Sequence, residues 1–318
     1  MMPAVESIAT RLSERRILVT GASGFLGTHF IRRLDGIAPL LLVGRQGPVV
    51  AGSGATEWAR MDLCEQAATH ALLEHFRPDL VFHLAALADV DHCERQPAAA
   101  IAANVTATAH LADWIATRSP HTRLVLTSTD QVYDGRGPHR EDTVLPRNVY
   151  ALSKLGAEAV AKRCARHLIL RVNFVGHSPL RRGFADWLLG ALARGERPTL
   201  VDDVLFNPLH ADDLCALVLE FASGDAQGVL NLGAGGPGWS KARFGLHLLD
   251  ALGITADRVV IGSITTLPLA AHRPLDMRMD VGRAQGLLGR ALPDLDATVE
   301  RLARDFGANT VPREPRHD

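Results

Sequence analysis

Tyr150-Ala-Leu-Ser-Lys154 sets a phenol and an ammonium four residues apart, which on a helix is a single face. A cation beside a phenol favours phenolate and draws its pKa down from about 10. A tyrosine tuned in that way can act as a general acid or base. Arginine offers a planar fork in place of a compact ammonium, and this chain uses arginine almost everywhere. Of its 34 Lys+Arg, only Lys154, Lys162 and Lys241 are lysines. Taken alone, a Tyr/Lys pair at this spacing is also what any exposed helix shows. Thr129, just past the apolar run Arg123–Ser128, adds a hydroxyl where open α/β sheets place their ligands. As a strand-end residue it equally suits a backbone cap, as does Ser128.

A second group of residues points to a dinucleotide. Gly21-Ala-Ser23-Gly24-Phe25-Leu26-Gly27 follows the apolar run Ile17–Thr20 and opens a helical pattern. Glycines so placed allow a tight turn and let backbone approach a pyrophosphate at a helix N-terminus. The next apolar run ends Val43-Gly44-Arg45, with no carboxylate in reach. Arginine there suits a ribose 2′-phosphate, and carboxylate suits the free diol, so Arg45 predicts NADPH, with NADH as the alternative. Asp62, followed by Leu63, would accept from the adenine amino group, or would cap a helix over 64–76. After the run Leu80–Leu84, small Ala85 and Ala86 would let the turn pass close to the cofactor beside Leu84.

These groups need a scaffold, and the pattern supplies one. Apolar runs at Ile17–Thr20, Leu40–Val43, Leu80–Leu84, Arg123–Ser128 and Leu168–Asn173 alternate with helical stretches at Phe25–Leu34, Glu65–Phe76, Ala98–Thr117 and Val149–Arg166. Nearly all-apolar strands between helices predict an α/β fold, a doubly wound parallel Rossmann-type sheet covered on both faces. Residues 1–173 read as the dinucleotide-binding domain. Residues 174–318 read mainly as a smaller, partly interleaved C-terminal substrate-binding lobe, with about 207–232 returning to the first domain. Helices are expected at Asp186–Arg194, Ala211–Phe221, Lys241–Leu252 and Gly282–Leu288, and a strand at Val229–Leu232. Gly47–Gly54 and Gly233–Gly238 read as loops, and Asn309–Asp318 as a mobile tail.

Composition narrows the classes. A formal net charge of -1 offers nothing for nucleic acid or an anionic membrane. No apolar run reaches the ~18 residues of a membrane span, and no basic-then-apolar leader opens the chain. Cys64, Cys93, Cys164 and Cys215 lie far apart, which suits buried thiols in a reducing compartment. A cytoplasmic enzyme is expected, with a homodimer left open.

The Gly21–Gly27 loop, His83-Leu-Ala-Ala86 and the order Thr129, Tyr150, Lys154 resemble the extended short-chain dehydrogenase/reductase family over nearly the whole chain. Within it the nearest likeness is to dTDP-4-dehydrorhamnose reductases and related nucleotide-sugar 4-ketoreductases. Ser128–Gly135 is similar to their STDxVFDG segment, and Asn148–Glu158 to their NxYGxTKLxGE helix. Arg273-Pro274, Asp280 and a Leu-Leu-Gly helix resemble their closing region. The resemblance implies that Thr129 binds the substrate carbonyl and that Tyr150 protonates it. It also implies that Lys154 holds the nicotinamide ribose and lowers the tyrosine pKa. The expected reaction is NADPH-dependent reduction of the C4 ketone of a nucleotide-activated, dTDP-type 4-keto-6-deoxysugar. Asp130, Gln131, Asn173, Phe174, Arg182 and Arg273 are the substrate-side candidates. The segment Arg171–Gly176 departs from the family's aromatic-Tyr-Gly, Phe174 standing in the aromatic place.

Gln131 separates neighbouring chemistries. Dehydratases of this family resemble Thr-Asp-Glu here, the Glu removing a carbon-bound proton. A neutral amide cannot take that proton, so elimination lacks its base. An epimerase uses the same Thr129, Tyr150 and Lys154 and stays an alternative, as does a non-catalytic regulatory subunit that binds a dinucleotide. Asn104 reads either as part of a proton relay or as a helix-packing amide. Arg181, Arg182 and Arg273 read as a diphosphate clamp or as surface arginines. His92-Cys93 with Asp89 and Asp91 lacks metal-ligand spacing and reads as a polar loop. His210-Ala-Asp212-Asp213 reads as a helix start.

Overall fold

The computed structural model describes residues 3–47, 56–177 and 183–310. Arg181, Arg182, most of the Gly47–Gly54 loop and nearly all of the Asn309–Asp318 tail lie outside the described residues. The first half runs α1 (Pro3–Leu12), β1 (Ile17–Thr20), α2 (Phe25–Leu34), β2 (Leu40–Gly44), β3 (Thr56–Arg60), α3 (Gln66–Phe76) and β4 (Leu80–His83). It continues with α4 (Val90–Arg95), α5 (Pro97–Ile101), a π-helical turn (Ala102–Thr106), α6 (Ala107–Arg118), β5 (Arg123–Thr129), α7 (Val149–Ala161) and β6 (His167–Val172). Next come β7 (Phe174–Val175), α8 (Phe184–Ala193), β8 (Thr199–Val201), β9 (Leu205–Phe206), β10 (Leu209–His210), α9 (Ala211–Ser223) and β11 (Gly228–Leu232). The chain ends with β12 (Trp239–Ser240), α10 (Lys241–Ala251), β13 (Val260–Gly262), α11 (Gly282–Leu288) and α12 (Leu295–Thr310).

Seven strands form one parallel sheet in the order β11-β6-β5-β4-β1-β2-β3. The central strands are buried along their length because helices cover both faces. The order reverses between β1 and β4, which opens a crevice at their carboxyl ends. His83, at the end of β4, bridges this point from below. Its ring nitrogens meet Thr20 Oγ1 at 2.7 Å and Thr108 Oγ1 at 2.9 Å. Complete burial, with the Lys154 charge nearby, pushes its pKa down to about 3, so it is a neutral tie between strands and helix.

The lobe is built differently. Among the described residues its strands outside the large sheet pair as two-stranded pieces, β10 with β7, β12 with β9 and β13 with β8. Phe184, Phe206 and Phe244 meet edge to face and fill the space between them. The expected helix over Ala98–Thr117 is interrupted by the π-helical turn, and His92-Cys93 lies inside α4, capped by Asp89, instead of in a loop. Among the described residues no group of His, Cys, Asp or Glu could hold a metal, and no helix is long and apolar enough to cross a membrane. All four cysteines are free.

Candidate active site

The Gly loop folds back on itself in a way side chains would forbid. Gly21 has φ +70°, and a Cβ there would stand 2.6 Å from the Ala85 nitrogen. A Cβ on Gly27 would meet the Gly21 carbonyl oxygen at 2.4 Å. Loop, helix α2 and the turn after β4 are therefore in direct backbone contact. Gly24 caps α2 without a side-chain hydrogen bond, and no acidic residue lies in the first turn. The free N–H groups of that turn are what a pyrophosphate needs, so the chain fits a dinucleotide here. Ser23 lies 3.1 Å from where a Cβ on Gly44 would be, close to the end of β2.

Arg45 follows β2 and is exposed. Its carbonyl accepts from Arg60 Nε at 3.1 Å, which brings a second guanidinium, from the end of β3, to the same corner. Asp62 is exposed, and its carboxylate accepts the Cys64 N–H at 2.9 Å. That bond is the first cause holding its pKa below the usual carboxylate range. Helix α3 starts only after Glu65, so Asp62 closes a local turn and is not a helix cap. Leu63 is buried beneath it, while Leu84, Ala85 and Ala86 are only partly covered at the crevice.

Thr129 ends β5, and Tyr150 and Lys154 lie one turn apart on α7, whose cap Asn148 accepts from the Ala151 N–H. The shared face is as expected; the direction of the ammonium is not. Lys154 Nζ donates to the Thr127 carbonyl at 2.7 Å. Burial lowers its pKa to about 8, opposed by the Glu158 charge. In the free site the first influence on the phenol is burial, not the Lys154 charge. Burial pushes Tyr150 above its ordinary value, the Thr129 hydroxyl eases it, and Asp130 and Cys93 raise it further. The free enzyme holds the phenol protonated.

Thr129, Asp130, Gln131, Tyr150, Asn173 and Phe174 all line one cavity of about 290 Å³. Asp130 is buried, accepts from Asn173 Nδ2 and takes the Thr129 hydroxyl at 3.3 Å. Burial lifts its pKa to about 6, against the pull of Asn173 and of Lys241. Gln131 donates to Met277 Sδ at 3.0 Å, and its backbone N–H bonds Thr129 Oγ1. Phe174 meets Phe25 of α2 edge on at 5.2 Å, joining the cofactor helix to the cavity wall. A larger hollow of about 440 Å³, between α10 and α12, carries none of these groups.

Residues 15–307 match the family model described as RmlD substrate binding domain. The chain belongs to this family. It is 30% identical to the probable low-salt glycan biosynthesis reductase Agl14 of Haloferax volcanii, covering 91% of this chain and 97% of the relative. The dTDP-4-dehydrorhamnose reductase structure from Yersinia enterocolitica aligns with a TM-score of 0.80 at 25% identity, over 92% of this chain and 100% of that one. The Bacillus anthracis enzyme of the same name, in complex with NADP, shares the fold with TM-score 0.80 at 21% identity, over 91% and 98% of the two chains.

Other candidates of this RmlD-family chain fall away from the cavity. Arg273 pairs with Asp91 at 2.9 Å and donates to the Ala271 carbonyl. It anchors the segment that Asp91 also holds through the Ala270 and Ala271 N–H groups. Asn104 is buried, with its amide spent on the Leu87 backbone and on Ser153 Oγ, so it packs helices. His210 bonds Asp305 and the Asp212 N–H at the start of α9. The sequence reading missed Arg60, Phe206, Met277 and above all Lys241, which lines the cavity. Lysine scarcity was a signal for Lys241; no local motif marked it.

Proposed function

We propose that this chain is an NADPH-dependent reductase of the C4 ketone in a nucleotide-linked 4-keto-6-deoxysugar. The observation that carries the reading is one cavity with two hydroxyls, Thr129 and Tyr150, at the carboxyl end of β5, and a phenol kept protonated by burial. NADPH supplies the hydride when bound. The residues that would hold it are the first turn of α2 for the pyrophosphate, Arg45 with Arg60 for the 2′-phosphate, and Lys154 for the ribose beside the nicotinamide.

Thr129, once its hydroxyl turns from Asp130, and Tyr150 then donate to the carbonyl oxygen where negative charge grows. Donors already in place there lower a barrier most. Tyr150 gives its proton to the developing alkoxide. With Lys154 near, the phenolate left behind becomes tolerable once the ammonium turns from Thr127 towards the ribose and the phenol. Gln131 supports reduction over elimination, since it cannot remove a carbon-bound proton. The relatives named as reductases support it too, and Arg45 favours a dissociable reductant over a retained one, which an epimerase would need.

The test is NADPH oxidation by purified protein with a panel of dTDP- and UDP-linked 4-ketosugars. Stoichiometric consumption with one of them is the expected result. Epimer formation without net consumption would replace the reading. So would NADPH binding with no turnover alongside a stoichiometric partner protein.

A further inference from the structure

Lys241 opens α10, and its backbone is fixed in the lobe. Its N–H donates to the Val204 carbonyl at 3.0 Å, and the preceding cap Ser240 takes the Arg243 N–H and donates to Asp202. The side chain reaches into the reaction cavity, with Nζ 6.0 Å from the Phe206 ring centre. Among the described residues Nζ has no hydrogen-bond or ion-pair partner. Asp130 lines the same cavity, and each charge acts on the other without an ion pair between them. The groups around the two are Thr129, Asn173 and Tyr150 on the Asp130 side and Arg273 on the Lys241 side. A buried carboxylate and a partly exposed ammonium that line one cavity without forming an ion pair leave room for a polar occupant, because burying charge without polar partners is costly.

A second anion would meet the Asp130 carboxylate, and a second cation would meet Lys241. A hydroxyl donates to one and accepts from the other at the same time. The Asp130 carboxylate takes the Thr129 hydroxyl at 3.3 Å, so on the ketoreductase reading the hydroxyl it would meet is on a ring carbon next to the carbonyl that Thr129 engages. In a 4-keto-6-deoxysugar one neighbour, C5, bears the methyl group, and the other, C3, bears a hydroxyl.

We propose that Asp130 and Lys241 clasp the C3 hydroxyl of the substrate between the two lobes, and so select sugar nucleotides that keep that hydroxyl free. The inference rests on the ketoreductase reading and adds the residue pair that chooses among its substrates. A site built to hydrogen-bond a hydroxyl rejects the analogue lacking it strongly, because its buried polar groups are stranded.

The experiment compares a dTDP-4-keto-6-deoxyhexose with its 3-deoxy analogue, using wild type, Lys241→Met, Lys241→Arg and Asp130→Asn. Wild type should prefer the 3-hydroxy substrate by ~10-fold or more in kcat/KM. Lys241→Met should shrink that preference to within a few-fold by losing the 3-hydroxy substrate alone, and Lys241→Arg should restore part of it. NADPH titration reports that each variant is folded. Equal losses on both substrates in Lys241→Met, or no preference in wild type, would overturn the proposal. Calorimetry with the corresponding non-keto dTDP-6-deoxyhexoses reads the same preference as a ratio of Kd, independent of turnover. A preference that collapses in Lys241→Met without any reduction would sink the reductase reading and keep the clasp. Turnover with an unchanged ratio would do the reverse.

Discussion

Lys154 shares a face of α7 with Tyr150 but gives its ammonium to the Thr127 carbonyl, 2.7 Å away. The free site is therefore set as a proton donor: a buried phenol, above its ordinary pKa, with Thr129 beside it. Reduction of a ketone needs that form at the start of the turn. On the proposed ketoreductase reading, Lys154 would matter at the end, when the phenolate has formed.

Tyr150→Phe removes the proton and little else, since the ring still fills its place among Cys93, Ala100 and Val149. We expect kcat to fall by roughly 100- to 10,000-fold, with NADPH affinity unchanged by fluorescence titration. Near-normal turnover would remove Tyr150 from the chemistry.

The pH profile should be a bell. Burial lifts Asp130 to about 6, so its carboxylate is present above that pH and lost as pH falls through it. Burial lowers Lys154 to about 8, so its ammonium is present below that pH and lost as pH rises through it. In kcat/KM, which reports the free enzyme, Asp130→Asn should erase the acid limb and Lys154→Met the alkaline one. An acid limb that survives in Asp130→Asn belongs to another group.

Arg45 and Arg60 sit at the same corner after β2 and β3. A charge-assisted bond to a phosphate is worth about 1.5–3 kcal/mol, so Arg45→Ala should weaken NADPH by about tenfold or more. NADH, lacking the 2′-phosphate, should barely change. Equal losses for both would show that the corner does not read the phosphate.

What the sequence made legible follows from what has a local pattern. The Rossmann sheet could be read because its central strands are uniformly apolar and its helices lie between them. Strand β3 could be read only as a short strand before Met61, without bounds, because Thr56–Arg60 is an edge strand with mixed exposure, and two-residue strands such as β7 and β9 have no periodicity to read. The break inside Ala98–Thr117 is invisible for another reason. A π-helical turn keeps helical composition and shifts only the phase, here bringing Asn104 against Leu87 and Ser153. At the site, spacing predicted that Tyr150 and Lys154 share a face, but not where a four-carbon chain ends. Lys241 lies 111 residues after Asp130 in number and shares a cavity with it only through the fold.

Thr129 follows Ser128, which is tied to a buried charge pair, and that leads to a stability prediction. Arg171 of β6 binds Glu158 of α7 through two nitrogens, at 2.9 and 2.7 Å, and both residues are almost fully buried. Ser128, next to Thr129, donates to the same carboxylate at 2.5 Å. Arg171 also reaches the Tyr133 hydroxyl and the Glu141 carbonyl, each at 2.7 Å. Removing one partner leaves the other charged, buried and uncompensated. Arg171→Met should therefore cost about 3–5 kcal/mol in urea unfolding. The double variant Arg171→Met/Glu158→Leu should recover much of it, since no lone charge remains. Because Ser128 then loses its acceptor, the double variant should still show reduced kcat from a loosened Thr129. Full recovery of stability and turnover together would mean that the pair supports the sheet but not the site.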